Sequence, residues 1–123
     1  MSEEELRDYC YSIGLIDCKI PAACNDSNYM KGYRYNSEFV NTMDFIAGWD
    51  EYEQHVVIAK SCVINEEFVN EGPIRMIGFS FVQNDEVIKS SINDLIKSVQ
   101  ENIKFLKCEQ IKKKIKKIEG DFE

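Results

Sequence analysis

The distribution of apolar residues predicts two strands in the middle of the chain. From residue 74 to 82, apolar side chains occupy both faces of an extended segment, with Ile77, Phe79 and Phe81 on one face. Residues 55–64 are rich in Val and Ile on both alternating sets. That pattern is typical of a central strand covered on two sides. We expect the two segments to pair in an antiparallel sheet.

The segments that precede these strands give weaker patterns. Residues 42–49 alternate through Met43, Phe45, Ala47 and Trp49, which favours a strand, although a helix capped by Ser37 would also place its apolar residues on one face. Residues 17–37 are rich in turn-forming residues, so we expect mostly loop, with a short strand near 32–36. The sheet should therefore have three or four strands.

Helical spacing marks both ends of the chain. Ser2 and Glu5 form a capping-box pattern ahead of a helix predicted over residues 3–13. From Asp85 onward there is no Gly or Pro until after Ile118, and apolar residues follow one helical stripe as far as Leu106. The pattern predicts an α+β fold in which a long C-terminal helix packs on the sheet and overhangs it.

Beyond Leu106 the apolar stripe of this C-terminal helix changes direction. Ile111, Ile115 and Ile118 form a second stripe, rotated from the first by roughly 120–140° at 100° per residue. Either the helix breaks near 107–110, or its last turns face something other than the sheet. Because exposed Ile forgoes about 1.5–3 kcal/mol of burial per side chain, these three residues imply a partner surface, a second copy of the chain, or a turn that folds the segment back. Of these we predict an oligomer interface.

Charge divides the single predicted domain into an acidic body, residues 1–106, and a basic helical extension, residues 107–123. The formal net charge is -7, yet residues 104–117 hold seven of the fifteen Lys and Arg residues against one acid, Glu109. The acidic body makes nucleic acid an unlikely partner and favours a basic protein. There is no apolar run near 18 residues and no basic, apolar leader, so we expect a cytoplasmic protein without a membrane span.

No motif points to catalysis, a metal or a cofactor. His55 and Cys62 would point to opposite faces of one strand, which opposes a Cys–His nucleophile pair. The spacings of Cys10, Cys18 and Cys24 match no zinc pattern, and phosphate-binding glycine loops are lacking. We expect a non-enzymatic protein without a metal or cofactor.

Two acidic loops that carry aromatic residues suggest a protein-binding function. Carboxylates steer a basic partner and aromatic residues anchor it. The most concrete hypothesis is a small acidic inhibitor, such as an immunity protein against a toxin or a virus-encoded anti-defence protein. A simple meander would put the two loops at opposite ends of the sheet. The predicted partner-binding residues are Trp49, Asp50, Glu51, Tyr52, Glu53, Glu66, Glu67 and Phe68.

An alternative hypothesis is a homo-oligomer that binds or sequesters a nucleotide-like ligand. Its copies would meet through Ile111, Ile115 and Ile118. Arg can pair with an anionic group and stack on a base, and Tyr can stack as well. The candidate ligand-binding residues are Lys31, Tyr33, Arg34 and Tyr35, with Tyr29 beside them.

Overall fold

A computed structural model of the chain describes residues 1–18, 30–65, 67 and 72–121, and it describes side chains for all of these except residue 30 and residues 114–121. The described elements confirm the α+β class. In chain order they are α1 (Glu3–Ser12), β1 (Ile16–Cys18), β2 (Met30–Arg34), β3 (Ala47–Asp50), β4 (His55–Ile64), β5 (Ile74–Val82) and α2 (Asp85–Asp121).

The strands form one antiparallel sheet in the order β1-β2-β3-β4-β5, so each strand pairs with its neighbour in sequence. The described residues form five strands, one or two more than the pattern predicts. Both strongly patterned strands have the predicted bounds, 55–64 and 74–82. The extra strand, β1, lies in the predicted loop, where its three residues pair with Gly32, Tyr33 and Arg34 of β2.

The segment before β3 contains turns and only partly joins the sheet. β3 begins at Ala47, later than the alternation from residue 42 predicts. Upstream, Val40 forms an isolated parallel bridge with Ile74. Gly72 makes this close approach possible: its φ is 98°, and a Cβ there would lie 2.5 Å from the backbone of Val40 and Asn41.

Both helices begin at capping residues. The Ser2 hydroxyl accepts a hydrogen bond from the Glu5 N–H at 3.2 Å, as the capping-box pattern predicts. The Asn84 side chain accepts hydrogen bonds from the N–H groups of Glu86 and Val87, and so caps the N-terminus of α2. Each cap satisfies N–H donors that the first turn of a helix leaves without partners.

Helix α2 runs without a break for 37 residues, so the chain does not turn near 107–110. At 1.5 Å per residue it is about 55 Å long. Asn102 contacts Cys62 near the far end of β4, and Leu106 is the last of the described α2 side chains that packs against the core. The turns after Leu106 therefore extend beyond the sheet.

The main core lies between one face of the sheet and both helices. Leu6 and Cys10 of α1 and Ile88, Ile92 and Val99 of α2 are fully buried there. β4 was expected to be covered on two sides, and its first half is: Val56 and Ile58 are buried in the main core, and Val57 is buried on the other side in a separate small cluster with Cys18 and Phe45. The described helices cover only one side of the sheet, because α1 and α2 form one layer.

Candidate protein-binding surface

Three large apolar side chains of β5 lie exposed on the sheet face opposite the helices. Ile77 is 46% exposed, Phe79 is 44% exposed and Phe81 is 57% exposed. Their strand neighbours Ile74 and Met76 point the other way and are buried in the main core. We call the surface formed by Ile77, Phe79 and Phe81 the open face. Adjacent exposed apolar side chains of this size mark interaction sites more often than scattered ones do.

Ring contacts orient the two Phe side chains of the open face. The Phe79 ring stacks on Phe45 with centroids 4.7 Å apart and an interplanar angle of 28°. The Phe81 ring lies 5.4 Å from the His55 imidazole. Phe45 and Val57, the cross-strand partner of Phe81, are both buried. Offset ring contacts of this kind fix side-chain orientation, so the open face presents apolar groups in defined positions.

One end of the molecule collects carboxylates from three elements: the start of α1, the β3–β4 turn and the start of α2. Contacts between these elements show that they meet. Lys31 pairs with Glu3 at 2.5 Å and Glu51 at 3.4 Å, and the N-terminal amine pairs with Asp85 at 2.9 Å. We call this region the acidic end. It comprises Glu3, Glu4, Asp50, Glu51, Glu53, Asp85 and Glu86.

Acids outnumber cations at the acidic end. The described cationic groups there are Lys31, the N-terminal amine, Arg7, which lies 3.9 Å from Glu4, and Lys89, one helical turn from Asp85 and Glu86. The carboxylate of Glu3 raises the pKa of Lys31, chiefly through the hydrogen bond between the two side chains. The remaining carboxylates give this end a negative potential that attracts cations.

The β3–β4 turn presents Tyr52 and Glu53 to solvent. The Asp50 carboxylate accepts hydrogen bonds from the N–H groups of Tyr52 at 2.9 Å and Glu53 at 3.1 Å. Gln54 closes the turn with a φ of 58°. Tyr52 is 78% exposed at the tip. Asp50 therefore organises the turn, whereas Tyr52 and Glu53 are the residues that a partner would meet.

The predicted partner-binding residues do not form one patch. Trp49 is 5% exposed and packs in the main core, so its ring is not on the surface. Glu67 is exposed at the other end of β4, and Glu66 and Phe68 lie outside the described residues. Ten residues of strand separate the two acidic loops, about 33 Å at 3.3 Å per residue. This is the opposite-ends arrangement expected of a meander.

The candidate ligand-binding residues of β2 point in different directions. Tyr33 is buried against α1, where its ring meets Tyr11 edge-on at 5.8 Å, and burial raises the pKa of Tyr33 to about 12. Lys31 pairs with Glu3 and Glu51 at the acidic end. Arg34 donates to the Tyr35 carbonyl at 3.3 Å and lines a cleft with Arg75. These side chains do not converge on one pocket, and Tyr29 lies outside the described residues.

Ile111 is the first of the three predicted interface residues on α2, and it is 57% exposed. Ile115 and Ile118 lie on the same continuous helix, but their side chains are outside the described part of the chain. Oligomerisation through these residues stays a prediction.

Burial keeps the described core thiols protonated. It raises the pKa of Cys10 to about 12 and that of Cys18 to about 11. It also raises the pKa of Cys62, which the hydrogen bond from Asn102 partly opposes. His55 lies beside Phe81 and Gln83, on the other end of β4 from Cys62. Within the described residues, no group of three His, Cys, Asp or Glu side chains could hold a metal ion.

The open face is the part of this surface that the sequence pattern did not identify as exposed. Ile77, Phe79 and Phe81 were recognised as one strand face, but an apolar strand face is usually core. A signal was nevertheless present. The sequence pattern places apolar residues on both faces of two strands, but it predicts two helical segments to cover them.

A comparison with protein-family models found no match, and neither the curated proteins nor the solved structures gave one. No helix in the described part of the chain is long and apolar enough to cross a membrane. Any functional proposal must therefore rest on the surface itself.

Proposed function

We propose that this chain is a non-enzymatic, cytoplasmic binding protein that captures a basic protein partner and inhibits it. The observation that carries the proposal is the open face of β5 beside the acidic end. Apolar anchors next to a charged rim are the usual composition of a specific protein interface.

The two parts of this surface have different roles in the proposal. The acidic end increases the rate of encounter with a cationic partner, because attraction between opposite charges acts before contact. The open face supplies affinity through burial of Ile77, Phe79 and Phe81. Burial of the half of each side chain that is now exposed would contribute about 1 kcal/mol per residue.

The adjacency of the open face and the acidic end supports one combined surface. His55, whose ring contacts Phe81, also lies 3.3 Å from Gln83, which precedes the start of α2. Asp85 and Glu86 follow within three residues of Gln83. A partner that covers Phe81 would therefore lie next to carboxylates.

The test compares capture by the wild-type protein with capture by Glu53→Lys/Glu86→Lys, using extracts of the cells in which the chain is native. Both residues are exposed. Glu101→Lys is the matched control, because Glu101 is exposed on α2 about 22 Å further along the helix from Glu86. Captured proteins are quantified by mass spectrometry at low and high salt.

We expect the wild-type protein and the control to retain the same basic protein at low salt. The double variant should retain it at least tenfold less, and high salt should weaken capture by all three. Equal capture by the double variant at low salt would contradict the proposal.

A further inference from the structure

The outer edge of β5 is paired along its first half. The Ile74 N–H donates to the Phe39 carbonyl at 2.9 Å, and the Asn41 N–H donates to the Ile74 carbonyl at 3.1 Å. The Met76 N–H donates to the Asp44 carboxylate at 3.0 Å. The segment from Phe39 to Asp44 therefore closes this half of the edge.

The second half of the edge, residues 78–82, differs. Gly78 has a φ of 67° and separates the two halves. β5 is the last strand of the sheet, and no described element pairs with the outer side of residues 78–82. An edge strand with unpaired backbone groups is a template for another extended segment.

Three properties coincide at this half of the edge. Its backbone is unpaired by the described residues, Phe79 and Phe81 project from it on the open face, and the acidic end begins just after Val82. An extended segment laid beside residues 78–82 would place alternate side chains against the two Phe rings. Its end would lie next to Asp85 and Glu86.

We propose that an extended segment of the basic partner adds to the sheet as a sixth strand beside residues 78–82. Apolar side chains at alternate positions pack on Phe79 and Phe81, and Lys or Arg side chains lie against the acidic end. The inference rests on the proposed function and specifies how the partner is held.

Charge decides between this occupant and a second copy of the chain. Pairing of two β5 strands would bring together two chains that each carry a net charge of -7. It would also set like-charged acidic ends within the same interface. A cationic extended segment instead complements the carboxylates it approaches.

The probe is a synthetic, acetylated and amidated peptide of eight residues in which Lys alternates with Val and Phe. One matched control carries N-methyl groups on alternate amides, in two versions that cover both edges of the peptide. N-methylation removes backbone donors but leaves every side chain in place. The second control has the same composition with the alternation scrambled. Binding is followed by amide chemical shifts of the isotope-labelled protein.

We expect the alternating peptide to bind with a sub-millimolar Kd and to shift the amides of residues 78–82. At least one N-methylated version and the scrambled peptide should bind at least tenfold more weakly. The proposal is overturned if both N-methylated versions bind as well as the parent, or if the alternating peptide does not bind at 1 mM. It is also overturned if residues 78–82 prove to be paired with a second copy in solution.

These experiments distinguish failure of the proposed binding function from failure of strand addition. If capture of a basic protein depends on Glu53 and Glu86 but N-methylation has no effect, the binding function stands and strand addition fails. If the acidic variants capture normally, the proposed function fails whatever the peptides do.

Ile77→Ser/Phe81→Ser, which leaves the Phe45–Phe79 stack intact, should reduce peptide binding at least tenfold, and unchanged binding would contradict the role of the open face.

Discussion

The two faces of the sheet are both apolar, but the described helices cover only one of them. On the face covered by helices, Ile58, Ile74 and Met76 are at most 4% exposed. On the open face, Ile77, Phe79 and Phe81 remain about half exposed. The difference arises because α1 and α2 lie in one layer. Apolar residues at both alternating sets of positions on a strand therefore indicate two apolar faces, and the number of covering layers decides which of them becomes core.

The two faces should respond very differently to loss of a side chain. Ile92→Ala removes a fully buried residue of α2, so the free energy of unfolding should fall by about 3 kcal/mol. Ile77→Ala removes a residue that is 46% exposed, so the loss should be below about 1 kcal/mol. Urea unfolding measures both. Similar losses would mean that the open face is buried in solution.

The two halves of the β5 edge offer a second comparison. Asp44 is 8% exposed, pairs with Arg75 at 2.7 Å and accepts the Met76 N–H. Asp44→Ala leaves that buried N–H without its acceptor, and we expect a loss of about 2 kcal/mol in urea unfolding. Asp94→Ala, at an exposed position on α2, is the control and should change stability by less than about 0.5 kcal/mol. Equal losses of stability in the two variants would contradict the proposed role of the Asp44 carboxylate as the acceptor for the Met76 N–H.

The dependence of stability on high pH tests the burial of one cysteine on each side of the sheet. The pKa of Cys10, in the main core, is about 12 when folded, against an ordinary value of 9.0. Below pH 9 the thiol is protonated in both states and its contribution is constant. Above pH 9 only the unfolded chain loses the proton, so stability should fall by roughly 1 kcal/mol per pH unit as the pH approaches 12.

Cys10→Ala should make the decline of stability above pH 9 shallower, as urea unfolding between pH 8 and 10.5 would report. Cys18 lies in the small buried cluster with Phe45 and Val57, and burial raises its pKa to about 11, so Cys18→Ala should act in the same direction over a narrower range. Cys108→Ala, at an exposed position, is the control. A decline that is unchanged in Cys10→Ala would contradict the burial of this thiol.

The smallest effect on stability is expected at the overhanging end of α2. Ile111 is 57% exposed in a single copy, so Ile111→Glu should change the free energy of unfolding by less than about 0.5 kcal/mol at protein concentrations where the chain is monomeric. We propose that this residue contacts a second copy of the chain. Sedimentation velocity should then show dimers or larger species for the wild type and a shift toward monomer for the variant. A monomeric wild-type protein at 100 μM or above would exclude this interface.

The fold could be predicted where local patterns decide it. The Ser2 cap, the bounds of β4 and β5 and the long stripe of α2 all depend on neighbouring residues, and the structure confirms them. β1 could not be predicted, because its three residues become a strand only by pairing with Gly32, Tyr33 and Arg34. The late start of β3 likewise depends on Val40 meeting Ile74, 34 positions away in the chain.

The candidate site was harder to predict than the fold. Tyr52 and Glu53 were identified from composition, and the turn does present them. Trp49 was assigned to the same partner-binding loop, but its side chain packs in the main core. The meeting of Glu3, Glu51 and Asp85 at one end depends on tertiary packing that no local pattern encodes.

The most direct test of the account measures stability and capture together in Ile77→Ser/Phe81→Ser. Val87→Ser, which replaces an apolar residue of α2 that is also 46% exposed, is the matched control. We predict that the double variant loses less than about 1.5 kcal/mol of stability but at least tenfold of its capture of the basic partner, while the control keeps both. Unchanged capture, or loss of capture only because the variant no longer folds, would contradict the claim that the open face is a binding surface.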